Sequence, residues 1–91
     1  MDLENCLDVS NKHDLHVRAS TRLAQLAQQF DCAVSIARDG DPNEVDAKSI
    51  LGILTLGVEK GQKLRLRTSG DDAQEAMDAL VQLIQDKFGE E

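Results

Sequence analysis

The chain has 91 residues, 41% of them apolar and only 2% aromatic, and a formal net charge of -7. That length suits one small domain, 1–91, whose core has to be built from Leu, Ile, Val, Ala and the two Phe. The acidic balance argues against nucleic acid, since neutralising phosphates needs a basic surface, and against an anionic membrane.

The opening stretch, MDLENCLDVS, has neither the basic region nor the apolar run of a secretory signal. Nothing in the chain reaches the length of a membrane span. The expectation is a cytoplasmic protein with no membrane insertion. Cys6 and Cys32 have neither a disulfide framework nor zinc spacing, so both are expected to be reduced and buried.

Leu3, Leu7 and Val9 share one face of a period-two pattern, which predicts a first strand over Leu3–Val9. After a polar loop the period changes. Leu23, Leu26, Ala27 and Phe30 recur at helical spacing while Gln25, Gln28 and Gln29 face away, predicting a helix over Val17–Phe30. Cys32–Arg38 alternates again, DGDPN is a turn signal, and Glu44–Asp46 completes an antiparallel hairpin. Ser49 and Gly57 stand where the N-cap and the C′ glycine of a short helix would stand. Its apolar residues, Ile50, Leu51, Ile53, Leu54 and Leu56, run nearly all round it, more than a small core can absorb.

KGQKLRLRTSG is the clearest strand, with Leu64, Leu66 and Thr68 on one side. Lys63, Arg65 and Arg67 fall on the other, expected to be a solvated face. The last helix covers about Asp72–Lys87, with an apolar stripe of Ala73, Ala76, Met77, Leu80, Leu83 and Ile84. Asp71 with Gln74 resembles a capping box, Asp71, Asp72, Glu75 and Asp78 form a solvated acidic face, and the tail GEE is expected to fray. The order β-α-β-β-α-β-α implies an α+β domain, a mostly antiparallel four-stranded sheet with helices on one face.

In HDLHVRAS, His16 lies just before a helix start and Arg18 lies in its first turn. A cation there is unfavourable in an isolated helix, but favourable if the free amides and partial positive charge of that terminus hold an anion such as phosphate. Neutral imidazole is also a competent phosphoryl acceptor. Taken on spacing alone, a His and an Arg at a helix start are more often exposed capping or loop residues.

A second stretch changes the balance. LHVRAS resembles the active-site motif of the HPr family, the histidine-containing phosphocarriers of the bacterial phosphotransferase system, in which histidine is followed one residue later by arginine and then proline. DAKSILGILTLGVEKG resembles the segment around that family's regulatory serine, at the expected distance from the first motif. The resemblance covers nearly the whole chain and implies an open-faced β-sandwich: a four-stranded antiparallel sheet with three helices on one face. It implies a phosphoryl carrier rather than an enzyme, taking the group from phospho-enzyme I on Nδ1 of His16 and passing it to an EIIA-type acceptor. Arg18 would steady the phosphate, and the amides of Val17 and Arg18 would donate to it. Ser49 matches the serine that a dedicated HPr kinase phosphorylates in some branches, and Ile50, Leu51 and Leu54 match the apolar patch that docks partner proteins. No cofactor and no metal are implied, and the chain is expected to be a monomer.

Three positions depart from the family pattern. Asp14 stands for a glycine, and its carboxylate can raise the pKa of His16 or repel phosphate. Val17 replaces a small residue, and Ala19 replaces the proline, losing a fixed φ and gaining one N–H. Ser49 can equally be a plain N-cap. His13 and His16 lack a third ligand and make a poor metal site, leaving His13 a solvated loop residue. An acyl carrier is disfavoured, because Lys48 rather than an aspartate precedes Ser49 and at least three segments read as strands. The alternative function is a regulator of the same fold that controls partner enzymes or transcription factors by its phosphorylation state, without a role in sugar transport.

Overall fold

The computed structural model describes residues 2–8, 17–58, 62–86 and 88. Its elements in chain order are β1 (Asp2–Asp8), α1 (Val17–Ala27), β2 (Ala33–Arg38), β3 (Val45–Asp46), α2 (Ile50–Thr55), β4 (Lys63–Ser69) and α3 (Ala73–Gln85). The four strands form one sheet in the order β1-β4-β2-β3, and every pairing is antiparallel. The expected order of elements and the fold class both hold. The expectations for Val9, His13, Asp14, His16 and the GEE tail lie outside the described residues.

β4 is an inner strand, and its alternation organises the rest. Leu64, Leu66 and Thr68 are fully buried. Leu66 faces Asn5 on one side and Ile36 on the other, and Thr68 faces Leu3 and Val34. The helices close over this side. Ala19, Leu23, Ala24 and Ala27 of α1, Ile53 of α2, and Ala76, Met77, Leu80 and Ile84 of α3 join one continuous core, with Phe88 sealing it beyond α3. The Phe88 carbonyl accepts a hydrogen bond from Nη1 of Arg22 on α1.

The opposite side of the sheet is not the open wet face expected from the basic row. Arg67 bridges Glu4 at 3.2 Å and Glu44 at 3.1 Å. Arg65 lies 3.6 Å from Glu4 and 3.9 Å from Glu44, its side chain only 17% exposed, and its Nη2 donates to the Asp41 carbonyl at 2.9 Å. Ala37, opposite Arg65 on this side, is fully buried. A layer of paired charges therefore covers part of the face that the helices leave open. Each exposed pair contributes little on its own, but the shared carboxylates tie three segments together.

Cys32 is buried as expected, but Cys6 is exposed, because β1 places it on the charged side opposite Arg65. Both cysteines are free. Partial desolvation and the Asp39 carboxylate, 3.6 Å from Sγ, hold the Cys6 thiol above its ordinary pKa.

The start of α3 also differs from expectation. Asp72, not Asp71, is the N-cap residue, and its side chain caps nothing in α3. Its carboxylate instead accepts the amides of Asp31 at 2.8 Å and Cys32 at 2.9 Å, clamping the entry of β2 to the end of β4. Gln74 turns to Asp78 at 2.9 Å, so no capping box forms. Gly70 completes the junction. Its φ is +141°, and a Cβ there would lie 2.9 Å from the Cys32 Cβ, so only glycine fits.

The amide bonds from Asp31 and Cys32 hold the Asp72 carboxyl below the usual carboxylate range. A lowered folded-state pKa means stabilisation that is complete above the unfolded value, 3.8, and is lost as pH falls through the folded one. Asp72→Ala is therefore expected to lower stability in urea melts at pH 7 and to converge on the wild type at strongly acidic pH. A deficit that stays constant with pH would show that the charge is not involved.

Candidate functional site

The two segments singled out in the sequence occupy α1 and α2, which pack against each other. α1 opens at Val17. The amides of its first turn have no intrahelical acceptors, and no acidic residue lies in that turn to oppose an anion. Val17 and Arg18 are exposed, while Ala19 and Ser20 turn inward and are fully buried. Ala19 is the third helical residue, so the N–H gained where the family has proline is one of the amides without an intrahelical partner. The Thr21 hydroxyl donates to the Val17 carbonyl at 2.7 Å and braces this turn. His16, next before Val17 in the sequence, lies outside the described residues.

α2 is the short helix that the caps predicted. Ser49 has extended backbone angles, and its Oγ accepts the Gly52 amide at 3.0 Å. Gly57 follows with a φ of +62°, the left-handed turn favoured past a helix end. The apolar circumference divides as its excess required. Ile53 and Leu56 are buried, Ile50 packs against the core, Leu54 is half-buried, and Leu51 is 73% exposed. Leu51 and Val17, at 61%, are the exposed large hydrophobic residues of the described chain.

The seam between the two helices rests on Lys48, a residue whose role the sequence did not reveal. Its Nζ donates to the Phe30 carbonyl at 2.8 Å, beyond the end of α1, and its carbonyl accepts from Gln28 Nε2 at 2.9 Å. Its amide donates to the Asp46 carboxylate at 2.9 Å. α1 has no basic residue in its own last turn, so Lys48 supplies the cation that its negative end favours. Ser49 is thus held from both sides, by the Lys48 backbone and by the Gly52 amide.

Ser20 was also overlooked. It is fully buried, and its hydroxyl has no hydrogen-bond partner. Such a group carries a desolvation penalty of about 1–3 kcal/mol. The available signal was a polar residue inside an otherwise Ala- and Leu-lined stripe. Among the described residues, no group of three or more His, Cys, Asp or Glu could hold a metal ion, and no helix is long and apolar enough to cross a membrane.

A family model described as the PTS HPr component phosphorylation site matches residues 3–86. The phosphocarrier protein HPr of Cupriavidus necator is 47% identical over 88 residues, 97% of each chain. The phosphocarrier protein NPr of Shewanella violacea is 39% identical over 88 residues, 97% of this chain and 94% of its own. The crystal structure of HPr-C-His from Thermoanaerobacter tengcongensis matches with a TM-score of 0.90 at 42% identity, covering 98% of both chains. An antiparallel open-faced sheet, a helix whose first turn carries no acidic residue and these matches define a phosphocarrier of the phosphotransferase system. Within that class the chain belongs to the HPr family. The curated relatives are carriers by name, which does not favour a regulator without a transport role.

Ser49→Ala removes the one side-chain cap of α2 and is expected to reduce stability by about 0.5–2 kcal/mol in denaturant melts. An unchanged midpoint would mean that Lys48 and the core hold α2 without the cap.

Proposed function

We propose that His16 is the phosphoryl acceptor of this carrier, receiving the group from phospho-enzyme I on Nδ1 and passing it to an EIIA-type acceptor. The observation that carries this reading is the opening of α1 directly after His16, with Arg18 exposed in an acid-free first turn. The lone pair of the neutral imidazole attacks phosphorus, forming a P–N bond. The bond from phosphorus to the donor breaks, and its electron pair leaves with the donor. Arg18 and the amides of Val17 and Arg18 neutralise the phosphoryl oxygens, a preorganised cradle that needs little rearrangement. Transfer onward repeats these steps with His16 as donor.

On this reading the chain is a transient co-substrate rather than an enzyme, and it needs neither cofactor nor metal. One phosphocarrier domain, 1–91, works as a monomer in the cytoplasm. Ile50, Leu51 and Leu54 form the docking surface for enzyme I and EIIA-type domains, a reading supported by the exposure of Leu51. Ser49 is the regulatory position, modified by an HPr kinase. Its oxygen, now an acceptor for Gly52, would become part of a phosphate beside that apolar surface. A closing partner would then have to desolvate or repel about -1.5 to -2 charges, so transfer slows while the fold persists.

Incubation with phosphoenolpyruvate and enzyme I should give an acid-labile label on the wild type and on His13→Ala, and none on His16→Ala. Label retained by His16→Ala would refute the assignment. Leu51→Glu is expected to weaken binding to enzyme I roughly tenfold by calorimetry while the thermal midpoint stays near wild type. Normal binding by that variant would remove α2 from the docking surface.

A further inference from the structure

α2 spans only Ile50–Thr55, too short to hold a helix by itself. Burial of Ile53 and Leu56 fixes its inner side. Leu51 is 73% exposed and takes its place from the backbone at the start of the helix. That backbone is tied in two directions. Toward the sheet, Ala47 donates its amide to the Val34 carbonyl at 2.9 Å. The amides of Lys48 and Ser49 donate to the Asp46 carboxylate at 2.9 Å and the Asp46 carbonyl at 3.0 Å. Toward α1, Lys48 makes two bonds. Its Nζ donates to the Phe30 carbonyl at 2.8 Å, and its own carbonyl accepts Gln28 Nε2 at 2.9 Å. Holding an ammonium there has a cost. The side chain is half-buried, so its head gives up water and its long stem gives up rotamers. A stem of similar length ending in a methyl group would cover the same seam without desolvating a charge. Packing alone therefore does not call for lysine at position 48. The charge is favoured at the Phe30 carbonyl, past the tightened last turn of α1.

We propose that Lys48 is a positioning residue for partner docking: by joining the end of α1 to the start of α2 it sets how Leu51 is presented, and so sets the affinity for enzyme I. The inference rests on the reading of α2 as the docking surface. Lys48 acts through the backbone of α2 and takes no part in the bond changes of phosphoryl transfer. Loosening the seam leaves Ile53 and Leu56 in the core, so the fold survives. Leu51 then samples several orientations, of which a partner accepts one, and binding weakens by the fraction that is competent. The phosphoryl step after docking is unchanged.

The test compares wild type, Lys48→Met, Lys48→Arg and Gln28→Ala as substrates of enzyme I with phosphoenolpyruvate, alongside thermal melts of each. Lys48→Met should raise KM roughly fivefold at unchanged kcat, the effect of one charge-assisted hydrogen bond lost from the docking platform. Lys48→Arg, which still brings a cationic donor to the Phe30 carbonyl, should recover most of that loss. Gln28→Ala breaks the other tie without changing the charge and should raise KM about twofold. Unchanged KM in Lys48→Met overturns the proposal, and so does a fall in its kcat. A raised KM in Lys48→Met beside a wild-type KM in Gln28→Ala also overturns it, since the ammonium would then meet the partner directly. If Lys48→Met does not fold, the KM of Gln28→Ala decides. Leu51→Glu run in parallel separates the two claims. Normal KM for that variant refutes the docking surface, whereas a weakened Leu51→Glu beside a normal Lys48→Met refutes only the positioning role.

Discussion

The central strand must present two incompatible surfaces at once, and the architecture follows from keeping them apart. Leu64, Leu66 and Thr68 demand a dry side, while Arg65 and Arg67 alternate with them and cannot enter it. Three helices satisfy the first demand. Two carboxylates, Glu4 on β1 and Glu44 in the β2–β3 connection, satisfy the second. A one-residue slip of β4 would send the arginines into the core and the leucines to the charged layer, so register is strongly specified. A fixed sheet fixes where α1 lies, and with it the helix start at which the phosphate site is proposed.

Coupling between the two functional segments is built from backbone carbonyls. α1 ends in a tightened turn, with Gln29 and Phe30 donating to carbonyls three residues back. The carbonyl left over at Phe30 is taken by Lys48, the residue before the α2 cap. The far end of the helix that opens at Val17 is thus anchored by the segment that carries Ser49. Val17 and Ser49 thus stand at the starts of two helices that pack against each other, the arrangement on which the proposed reading of phosphoryl group and apolar surface by one partner rests.

How much was legible in the sequence followed the range of the interactions involved. The alternation of β4, the hairpin, and the Ser49 and Gly57 caps are local patterns, and they were readable. The end of α1 at Ala27 rather than Phe30 depends on a change of hydrogen-bond span that apolar periodicity does not record. Cys32 falls just outside β2 because its amide serves Asp72, forty residues away in the chain. The same reach hid the true role of Asp72 and the covering role of Arg65, since a charged residue does not reveal its distant partner. At the site, the motif around His16 and the stretch from Asp46 to Gly61 were visible as a pair. Ser20 was not, because a buried serine in a helix has the spacing of an alanine.

The two thiols give this small chain a consequence of its own. Cys6 lies in the open on the charged side of the sheet, whereas Cys32 sits under Gly70, closer than any side chain at position 70 would permit. An alkylating reagent therefore meets one cysteine in the native state and reaches the other only when the β2 and α3 junction parts. The ratio of the two labelling rates measures how often that junction opens, an internal clock for local unfolding that needs no added probe.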